Sequence, residues 1–500
     1  MHELVSDRPV DPKDRRRWLL ILLVLLFGAM AIRMVAWVAL PNYHHADEIF
    51  QYREQAFRLV TDYGVVPWEY QEGIRSWVIP GALSVPMFVS QWLTGDTVYA
   101  DWAIAFGLVL LSLIPVYAGW VYGAKAGGLG GAVVASLWML GWYELVYFSS
   151  HTLTSPVAGH LILGGAMLWG IGLGPVGRRR LVAGGVLLGL AAVIRFHLLP
   201  GIGVLTLAAI WMQGRQAIKW VAGGLLGFVL AIGLIDLLSY DYPYQWMVRN
   251  VKRNVVDDVA SSFGTDPWYG YLKILAVNWR YLCLPLLVFS VAGFRRLPVL
   301  GFVGIVIVAA FSMIGHKEYR FIYPSIMIAL LLSGVGLAGW VPALLRRIPD
   351  AIAWRCGGVA VLLLILAVIG YERASAWPYD RFWFKCQESQ YAFRALHHDK
   401  DLECLLVHEY PWYQLPGYSV LRRDVPIAIS EEGRTLQSYY GQYTHLISGV
   451  RLEEGPNGLE LIDSWPVFSE QGKHLFLYRS TQSFDEPPDQ DINDLLRIAK

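Results

Sequence analysis

Acidic, basic and imidazole side chains crowd into one short segment after the first long apolar run. The segment spans residues 41–97 and carries His45, Asp47, Glu48, Glu69, Glu72 and Arg75. Charged groups are costly beside a membrane helix, so this cluster indicates a function at the bilayer surface. Adjacent helical residues point about 100° apart, so Asp47 and Glu48 would not face one spot. One carboxylate can therefore act as a general base while the other supports it.

Basic side chains of the kind that bind phosphate recur later in the chain. Arg75 and Arg195 each offer a planar donor fork, and Arg195 lies near the end of an apolar run. His316, Lys317 and Arg320 share one tight turn between two apolar runs. If these groups converge with Arg75, they would form a site for a lipid phosphate or pyrophosphate. The alternatives are a snorkelling Arg195, a solvated turn, and acids that only favour a helix N-terminus.

An acid beside phosphate-binding donors at a membrane surface indicates group transfer from a lipid-linked phosphate. The acid would deprotonate an acceptor hydroxyl, and the basic side chains would stabilise the departing phosphate. Because a lipid phosphate is already a good leaving group, we expect neither a metal nor another cofactor. The glycine run at residues 127–131 lies at a predicted helix start and is assigned to packing, which argues against a soluble nucleotide-sugar donor.

The composition places the chain among membrane proteins. Hydrophobic residues make up 55% and charged residues 16%, against roughly 45–50% and 25% in soluble domains. The net charge of +1, with no basic stripe, excludes a general nucleic-acid surface. Four cysteines are too few for a disulfide framework. Cys386 and Cys404 could pair outside the cytoplasm, or both could remain thiols.

The predicted fold class is an all-α polytopic membrane protein with about 11 transmembrane helices (about 10–13), followed by a small C-terminal α/β domain. Basic residues in the short loops are placed in the cytoplasm by the positive-inside rule. The predicted spans are 18–40, 98–122, 128–148, 156–174, 180–197, 200–213, 218–238, 280–294, 298–315, 321–342 and 355–371. The apolar segment 77–93 contains Pro80 and Pro86 and is predicted to be re-entrant or to lie on the membrane surface.

This orientation predicts the domain organisation. Residues 1–17 form a cytoplasmic N-terminus, 18–371 a transmembrane catalytic domain with extracytoplasmic loops at 41–97 and 239–279, and 372–500 an extracytoplasmic α/β domain. Strands are predicted at Leu402–Val407, Val425–Ile429 and His474–Tyr478, and a helix at Asp491–Ala499.

Several motifs resemble those of one enzyme family. Residues 45–51 (HADEIFQ), 68–70 (WEY) and 73–76 (GIRS) are similar to signature sequences of the Alg9/PIG-B-like mannosyltransferases, glycosyltransferase family 22 of the GT-C superfamily. Residues 316–324 (HKEYRFIYP) look like a later turn of that family, and 241–269 resembles its middle loop more loosely. Ala46 stands where the family usually has proline, and Val407 stands where it has a late cysteine.

The resemblance implies a GT-C fold and a dolichyl- or polyprenyl-phosphate-linked sugar donor, with mannose as the family's sugar. It makes Asp47 the general base, with Glu48 beside it. The donor phosphate would be held by Arg75, Arg195, His316, Lys317 and Arg320, and His45, Glu69 and Glu72 would complete the substrate site. The transfer would invert the anomeric centre of the sugar, and the acceptor would be a glycan or glycolipid at the membrane.

The sequence allows two cellular membranes and, besides the glycosyltransferase, two other functions. None of the six asparagines begins an Asn-x-Ser/Thr sequon, which with the looser late motifs favours a bacterial inner membrane and a periplasmic active face; an endoplasmic-reticulum membrane is the alternative. A lipid-linked glycan transporter would need polar residues along a path through the bilayer. An O-antigen-ligase-like transferase would use a lipid pyrophosphate donor and a histidine base instead of Asp47.

Overall fold

A computed structural model describes residues 12–345, 351–455, 458–467, 472–489 and 491–497. Short turns of other helical types adjoin the α-helices, notably a π-helix at Glu48–Arg53 and 3₁₀ turns at Phe196–Leu198 and Tyr319–Ile322. The α-helices are α1 (Pro12–Ala39), α2 (Glu54–Thr61), α3 (Trp68–Gln71), α4 (Val78–Thr94), α5 (Ala100–Leu111), α6 (Leu113–Gly141), α7 (Tyr143–Tyr147), α8 (Thr154–Leu168), α9 (Arg178–Ile194), α10 (Leu199–Gln213), α11 (Ile218–Asp236), α12 (Gln245–Val251), α13 (Gly270–Trp279), α14 (Cys283–Phe294), α15 (Pro298–Ser312), α16 (Tyr323–Leu345), α17 (Ala351–Ala374), α18 (Tyr379–Phe382), α19 (Gln387–His397), α20 (Tyr418–Leu421) and α21 (Ile492–Arg497).

Each of the eleven predicted spans overlaps one of these helices, which confirms the helical membrane class. Within the described ranges, six segments are long and apolar enough to cross a membrane, or seven if a bent pair from Val361 to His397 is one span. The six are Lys13–Ala39, Ala100–Gly141, Phe196–Gln213, Arg215–Asp236, Gly270–Phe294 and Tyr319–Trp340. Several remaining helices are shorter than the roughly 20 residues that a bilayer requires, so the total of eleven crossings stays a prediction.

The chain divides into two compact units. One comprises Met1–Val35 and Phe106–Arg373, and the other comprises Ala36–Ala105 and Ala374–Lys500. The first charged segment therefore belongs to the same unit as the C-terminal part of the chain, although Ala105 and Ala374 lie 269 positions apart in the sequence.

The first unit is a bundle in which small residues let helices approach closely. Helix α16 packs against α6 and α14, and α9 packs against α8 and α11. A Cβ atom added at Gly293 would lie 1.9 Å from the carbonyl oxygen of Leu332, so α14 and α16 touch through their backbones. The glycine run makes a kink in α6, with φ 63° at Gly128, and a Cβ at Gly131 would meet the carbonyl oxygen of Gly123 at 2.3 Å.

The second unit contains the predicted α/β domain. Its sheet has the strands β1 (Leu405–His408), β2 (Ile427–Ile429), β3 (His445–Ser448), β4 (Leu459–Pro466) and β5 (His474–Ser480) in the order β2-β1-β3-β5-β4. Strand β1 runs parallel to β2 and β3, whereas β5 is antiparallel to β3 and β4. The three predicted strands are present, and β3 and β4 were not predicted. Cys386 and Cys404 are both free and buried, so the structure has the unpaired alternative.

Hydrogen bonds and an ion pair connect the first charged segment to the C-terminal part of this unit. Glu54 is fully buried, and its Oε1 and Oε2 atoms accept hydrogen bonds from the backbone nitrogens of Ser419 at 2.5 Å and of Val65 at 3.1 Å. Arg422 Nη2 lies 2.6 Å from Asp101 Oδ2. Helix α4, the segment predicted to be re-entrant or surface-lying, packs against α2.

Candidate active site

The two adjacent acids at positions 47 and 48 have different surroundings. Asp47 immediately precedes the π-helix; its side chain is 20% exposed, and its Oδ1 atom lies 3.1 Å from His45 Nδ1. Glu48 is 2% exposed, and its Oε1 atom accepts a hydrogen bond from the backbone nitrogen of His44 at 2.8 Å. Asp47 is therefore partly accessible, whereas Glu48 is buried and hydrogen-bonded to the backbone of the same segment.

Gln51 joins the π-helix to the short helix α3. Its Nε2 atom donates to Glu69 Oε1 at 2.8 Å, and Arg75 Nη2 lies 3.7 Å from the same oxygen. Burial raises the pKa of Glu69, the guanidinium of Arg75 lowers it, and the charge of Asp47 raises it. The segment thus brings Glu69 and Arg75 into contact and keeps Asp47 within electrostatic range of both.

Glu72 occupies a different kind of position. It is the half-buried residue that ends α3, and its backbone nitrogen donates to the carbonyl oxygen of Trp68 at 2.8 Å. Because α3 has only four residues, Glu69 and Glu72 do not lie together along a longer helix face.

In the first unit, Glu318 organises the turn between α15 and α16. Its carboxylate receives two bonds from Arg320, Nε–Oε2 at 2.5 Å and Nη2–Oε1 at 3.0 Å. His316 Nε2 lies 3.1 Å from Oε1 of the same carboxylate, and its Nδ1 lies 3.1 Å from the carbonyl oxygen of Gly264. Glu318 therefore links two of the predicted phosphate-binding residues. Sequence reasoning missed it, although it lies inside the motif.

Lys317 points into the protein. The residue is 7% exposed, and Nζ donates to the carbonyl oxygens of Asp266 at 3.0 Å, Ile314 at 2.6 Å and Gly315 at 3.4 Å. A lysine ammonium has three protons to donate, so these carbonyls can use its whole donor capacity. In this arrangement Lys317 connects the segment before α13 to the turn between α15 and α16 through hydrogen bonds.

Arg195 lies where α9 ends and the chain passes into the 3₁₀ turn Phe196–Leu198. Its guanidinium carbon is 5.6 Å from the ring centroid of Phe311 and 4.8 Å from that of Phe321, and Nη1 donates to Thr154 Oγ1 at 3.4 Å. Arg320 lies 5.4 Å from the same Phe321 ring. The two guanidinium groups therefore share one aromatic neighbour.

The structure thus forms two groups of predicted site residues. One holds His45, Asp47, Glu48, Glu69, Glu72 and Arg75, and the other holds Arg195, His316, Lys317 and Arg320. The convergence of Arg75 with the second group stays a prediction. In the part of the chain that the structure describes, no three His, Cys, Asp or Glu side chains are grouped to hold a metal ion.

A buried acid that the sequence analysis did not single out lies in the second group. Glu144 is 0% exposed. It accepts hydrogen bonds from the indole nitrogens of Trp142 at 2.8 Å and Trp279 at 3.3 Å, and from the hydroxyl of Tyr319. Tyr319 is part of the turn itself, so this carboxylate contacts the segment that carries Arg320.

Comparisons with known proteins agree with the motifs. Residues 23–422 match the profile of the "Alg9-like mannosyltransferase family". The chain is 26% identical over 362 residues to GPI mannosyltransferase 3 of Yarrowia lipolytica, an alignment that covers 67% of this chain and 65% of the relative. It is 25% identical to GPI alpha-1,2-mannosyltransferase 3 of Mus musculus, covering 63% and 58% respectively. The chain therefore spans somewhat less than two thirds of the length of these relatives.

Among solved structures, the fold is similar to ArnT from Cupriavidus metallidurans bound to undecaprenyl phosphate. The TM-score is 0.53 at 10% sequence identity, and the match covers 91% of this chain and 97% of ArnT. The apo form of the same protein matches with a TM-score of 0.50 at 14% identity. At this identity the similarity concerns the fold, and it confirms the expected GT-C architecture.

Proposed function

Because the chain belongs to the Alg9-like mannosyltransferase family, we propose that it is an integral-membrane inverting glycosyltransferase. It moves a sugar, mannose, from a polyprenyl- or dolichyl-phosphate-linked donor to a hydroxyl group of a glycan or glycolipid acceptor. The curated relatives named as mannosyltransferases support the reaction class. The undecaprenyl phosphate bound by ArnT is of the same chemical class as the proposed lipid carrier.

The surroundings of Asp47 carry the proposal. A general base must be reachable by the hydroxyl that it deprotonates and must be held in place. Asp47 meets both conditions, because its carboxylate is partly exposed and lies beside His45 at the start of a helix. Glu48, buried and bonded to backbone, meets only the second.

The proposed reaction is a single displacement. The acceptor oxygen forms a bond to the anomeric carbon while the bond from that carbon to the phosphate oxygen breaks. The proton of the acceptor hydroxyl passes to Asp47, and the lipid phosphate leaves with the electron pair. Arg75, Arg195 and Arg320 are assigned to the charge that develops on the phosphate, since guanidinium groups suit phosphate oxygens.

We further propose that this chemistry occurs on the extracytoplasmic face of a bacterial inner membrane, with the endoplasmic reticulum as the alternative. The absence of Asn-x-Ser/Thr sequons supports the bacterial assignment. The positive-inside distribution of basic loops supports the face.

Purified protein in detergent, supplied with polyprenyl-phosphate mannose and glycolipid acceptors, tests the proposal. The wild type should form a new glycosidic bond, and Asp47→Asn should lower transfer by roughly 100- to 10,000-fold. Asp62→Asn is the matched control, because Asp62 is exposed and has φ 66°, a conformation that asparagine tolerates. Substantial transfer by Asp47→Asn would remove Asp47 from the base role. In a parallel assay with the protein reconstituted in vesicles, movement of a lipid-linked glycan across the bilayer without bond formation would favour a transporter.

A further inference from the structure

Glu144 lies outside every motif that pointed to the reaction, yet it holds the turn that carries Arg320. We infer that Glu144 is a positioning residue for the donor-phosphate turn at residues 316–320 and acts on it through Tyr319. The inference rests on the proposed function, since it assumes that this turn binds the donor phosphate. Glu144 is too deeply buried to touch a substrate.

Three side-chain donors surround the Glu144 carboxylate and hold it in place. Trp142 Nε1 donates to Oε2 at 2.8 Å, and Trp279 Nε1 lies 3.3 Å from the same oxygen. The Tyr319 hydroxyl donates to the other oxygen, Oε1, and Trp279 Nε1 lies 3.2 Å from that hydroxyl. Indole nitrogens can only donate, so both tryptophans need an acceptor here. The carboxylate supplies this acceptor, and its bond to the Tyr319 hydroxyl favours one orientation of the Tyr319 side chain.

Glu144 contacts the turn at a second point. Its carbonyl oxygen accepts a hydrogen bond from the Tyr323 hydroxyl at 3.0 Å. Tyr319 begins the 3₁₀ turn that contains Arg320, and Tyr323 is the first residue of α16. One residue therefore fixes the backbone on both sides of Arg320, from its side chain and from its main chain.

Position matters here because the Nε and Nη2 atoms of Arg320 already bind Glu318, so a phosphate can use only the remaining guanidinium donors, whose direction depends on the turn. A binding group must be held within about 0.5 Å of its working position, and two contacts from one rigid neighbour restrict the turn in that way. A buried carboxylate is a costly means of filling space, since an apolar residue of the same size usually stabilises a protein as well or better. The hydrogen-bond donors that converge on Glu144 indicate that this position requires an oriented acceptor, which an apolar side chain of the same volume would not supply.

The test compares Tyr319→Phe with wild type in donor and acceptor saturation experiments. We expect kcat/KM for polyprenyl-phosphate mannose to fall about tenfold, corresponding to about 1.4 kcal/mol, with less than a twofold change in the KM of the acceptor. Glu144→Gln keeps a carbonyl oxygen for the Tyr319 hydroxyl and should retain more donor kcat/KM than Glu144→Ala. Both Tyr319→Phe and Glu144→Gln preserve volume, so they remain informative if Glu144→Ala does not fold.

Tyr410→Phe is the matched control. Tyr410 also donates its hydroxyl to a buried glutamate, Glu388 Oε1, at 2.8 Å. The Tyr410→Phe variant should lose thermal stability to a degree similar to Tyr319→Phe and keep the wild-type kcat/KM for the donor. Provided that the wild type transfers the sugar, either of two results would overturn the inference. One is an unchanged donor kcat/KM in Tyr319→Phe, and the other is an equal effect of this substitution on the kinetic parameters of the donor and of the acceptor. No transfer by the wild type would instead contradict the proposed function.

Discussion

Replacing Arg75 by alanine separates two roles that its contacts allow. Arg75 Nη2 lies 3.7 Å from Glu69 Oε1, with side-chain exposures of 30% and 11%. The arginine could therefore serve to neutralise a buried acid, or it could hold the donor phosphate, as the resemblance implies. The two roles predict different results when Glu69 is changed as well.

The expected loss of stability is modest. Removing one partner of a fully buried ion pair costs about 3–5 kcal/mol, and an exposed pair contributes at most about 1 kcal/mol. Arg75 is partly exposed, and Gln51 still donates to Glu69 in the variant. We therefore expect Arg75→Ala to lower the free energy of unfolding by about 1–2 kcal/mol, between these limits.

The expected loss of activity is larger. A hydrogen bond to a charged group contributes about 1.5–3 kcal/mol, which corresponds to roughly a 10- to 150-fold decrease in kcat/KM for the donor. Saturation kinetics with the lipid-linked donor measure this value. The acceptor KM is the internal reference, because Arg75 is assigned to the donor.

The variant should also change the pH dependence of stability. Burial raises the pKa of Glu69 above its ordinary value of 4.5, and Arg75 opposes that rise. Without Arg75 the pKa rises further. Because the folded protein then holds a proton that the unfolded chain has lost, the free energy of unfolding should fall as pH increases from about 4.5 through the raised pKa, more steeply than in wild type.

The double variant Arg75→Ala/Glu69→Gln decides between the roles. If Arg75 only neutralises Glu69, removing the charge of Glu69 should restore donor kcat/KM to the level of Glu69→Gln alone. If Arg75 binds phosphate, the loss should remain. Restoration to within about twofold, which is the usual error of additive effects, would refute the phosphate role.

Two further predictions concern buried acids of the second unit. Glu48→Gln should keep most of the transfer activity, because the amide oxygen can still accept the bond from the His44 nitrogen; a loss as large as that of Asp47→Asn in the same transfer assay would make Glu48 the base. Glu54→Gln should lower the free energy of unfolding by about 1–3 kcal/mol, because one of the two backbone donors would face an amide NH₂ group. Since burial raises the pKa of Glu54, wild-type stability should fall as pH rises from about 4.5 through that pKa, and thermal unfolding of the variant should show a flatter profile.

Much of the fold could be predicted because hydrophobic length and period are strong signals. The long apolar runs predicted the membrane helices, whereas the apolar segment 77–93, predicted to be re-entrant or surface-lying, forms helix α4 with Pro86 inside it. Strands β3 and β4 were missed for local reasons. Strand β3 has only four residues, all of them buried although two are polar, His445 and Ser448. In β4 a shift in register between Leu461 and Asp463 breaks the alternation of apolar and polar residues.

The division into units could not be predicted from local patterns. Contacts such as the one from Glu54 to the backbone of Ser419 join positions that lie 365 residues apart. Neither residue stands out in its own sequence context. Periodicity reports which face of an element is buried and is silent about the partner that covers it.

The candidate site shows the same limit at the level of single residues. Asp47, Glu48, Glu144 and Glu318 are all acids near apolar runs, and the sequence offered no measure of how each is solvated. The structure distinguishes them by their partners: backbone for Glu48, indoles and a phenol for Glu144, Arg320 and His316 for Glu318. Asp47 combines partial exposure with a titratable neighbour, His45. For this reason the base role is assigned by environment, which the Asp47→Asn and Glu48→Gln pair tests at adjacent positions on one backbone.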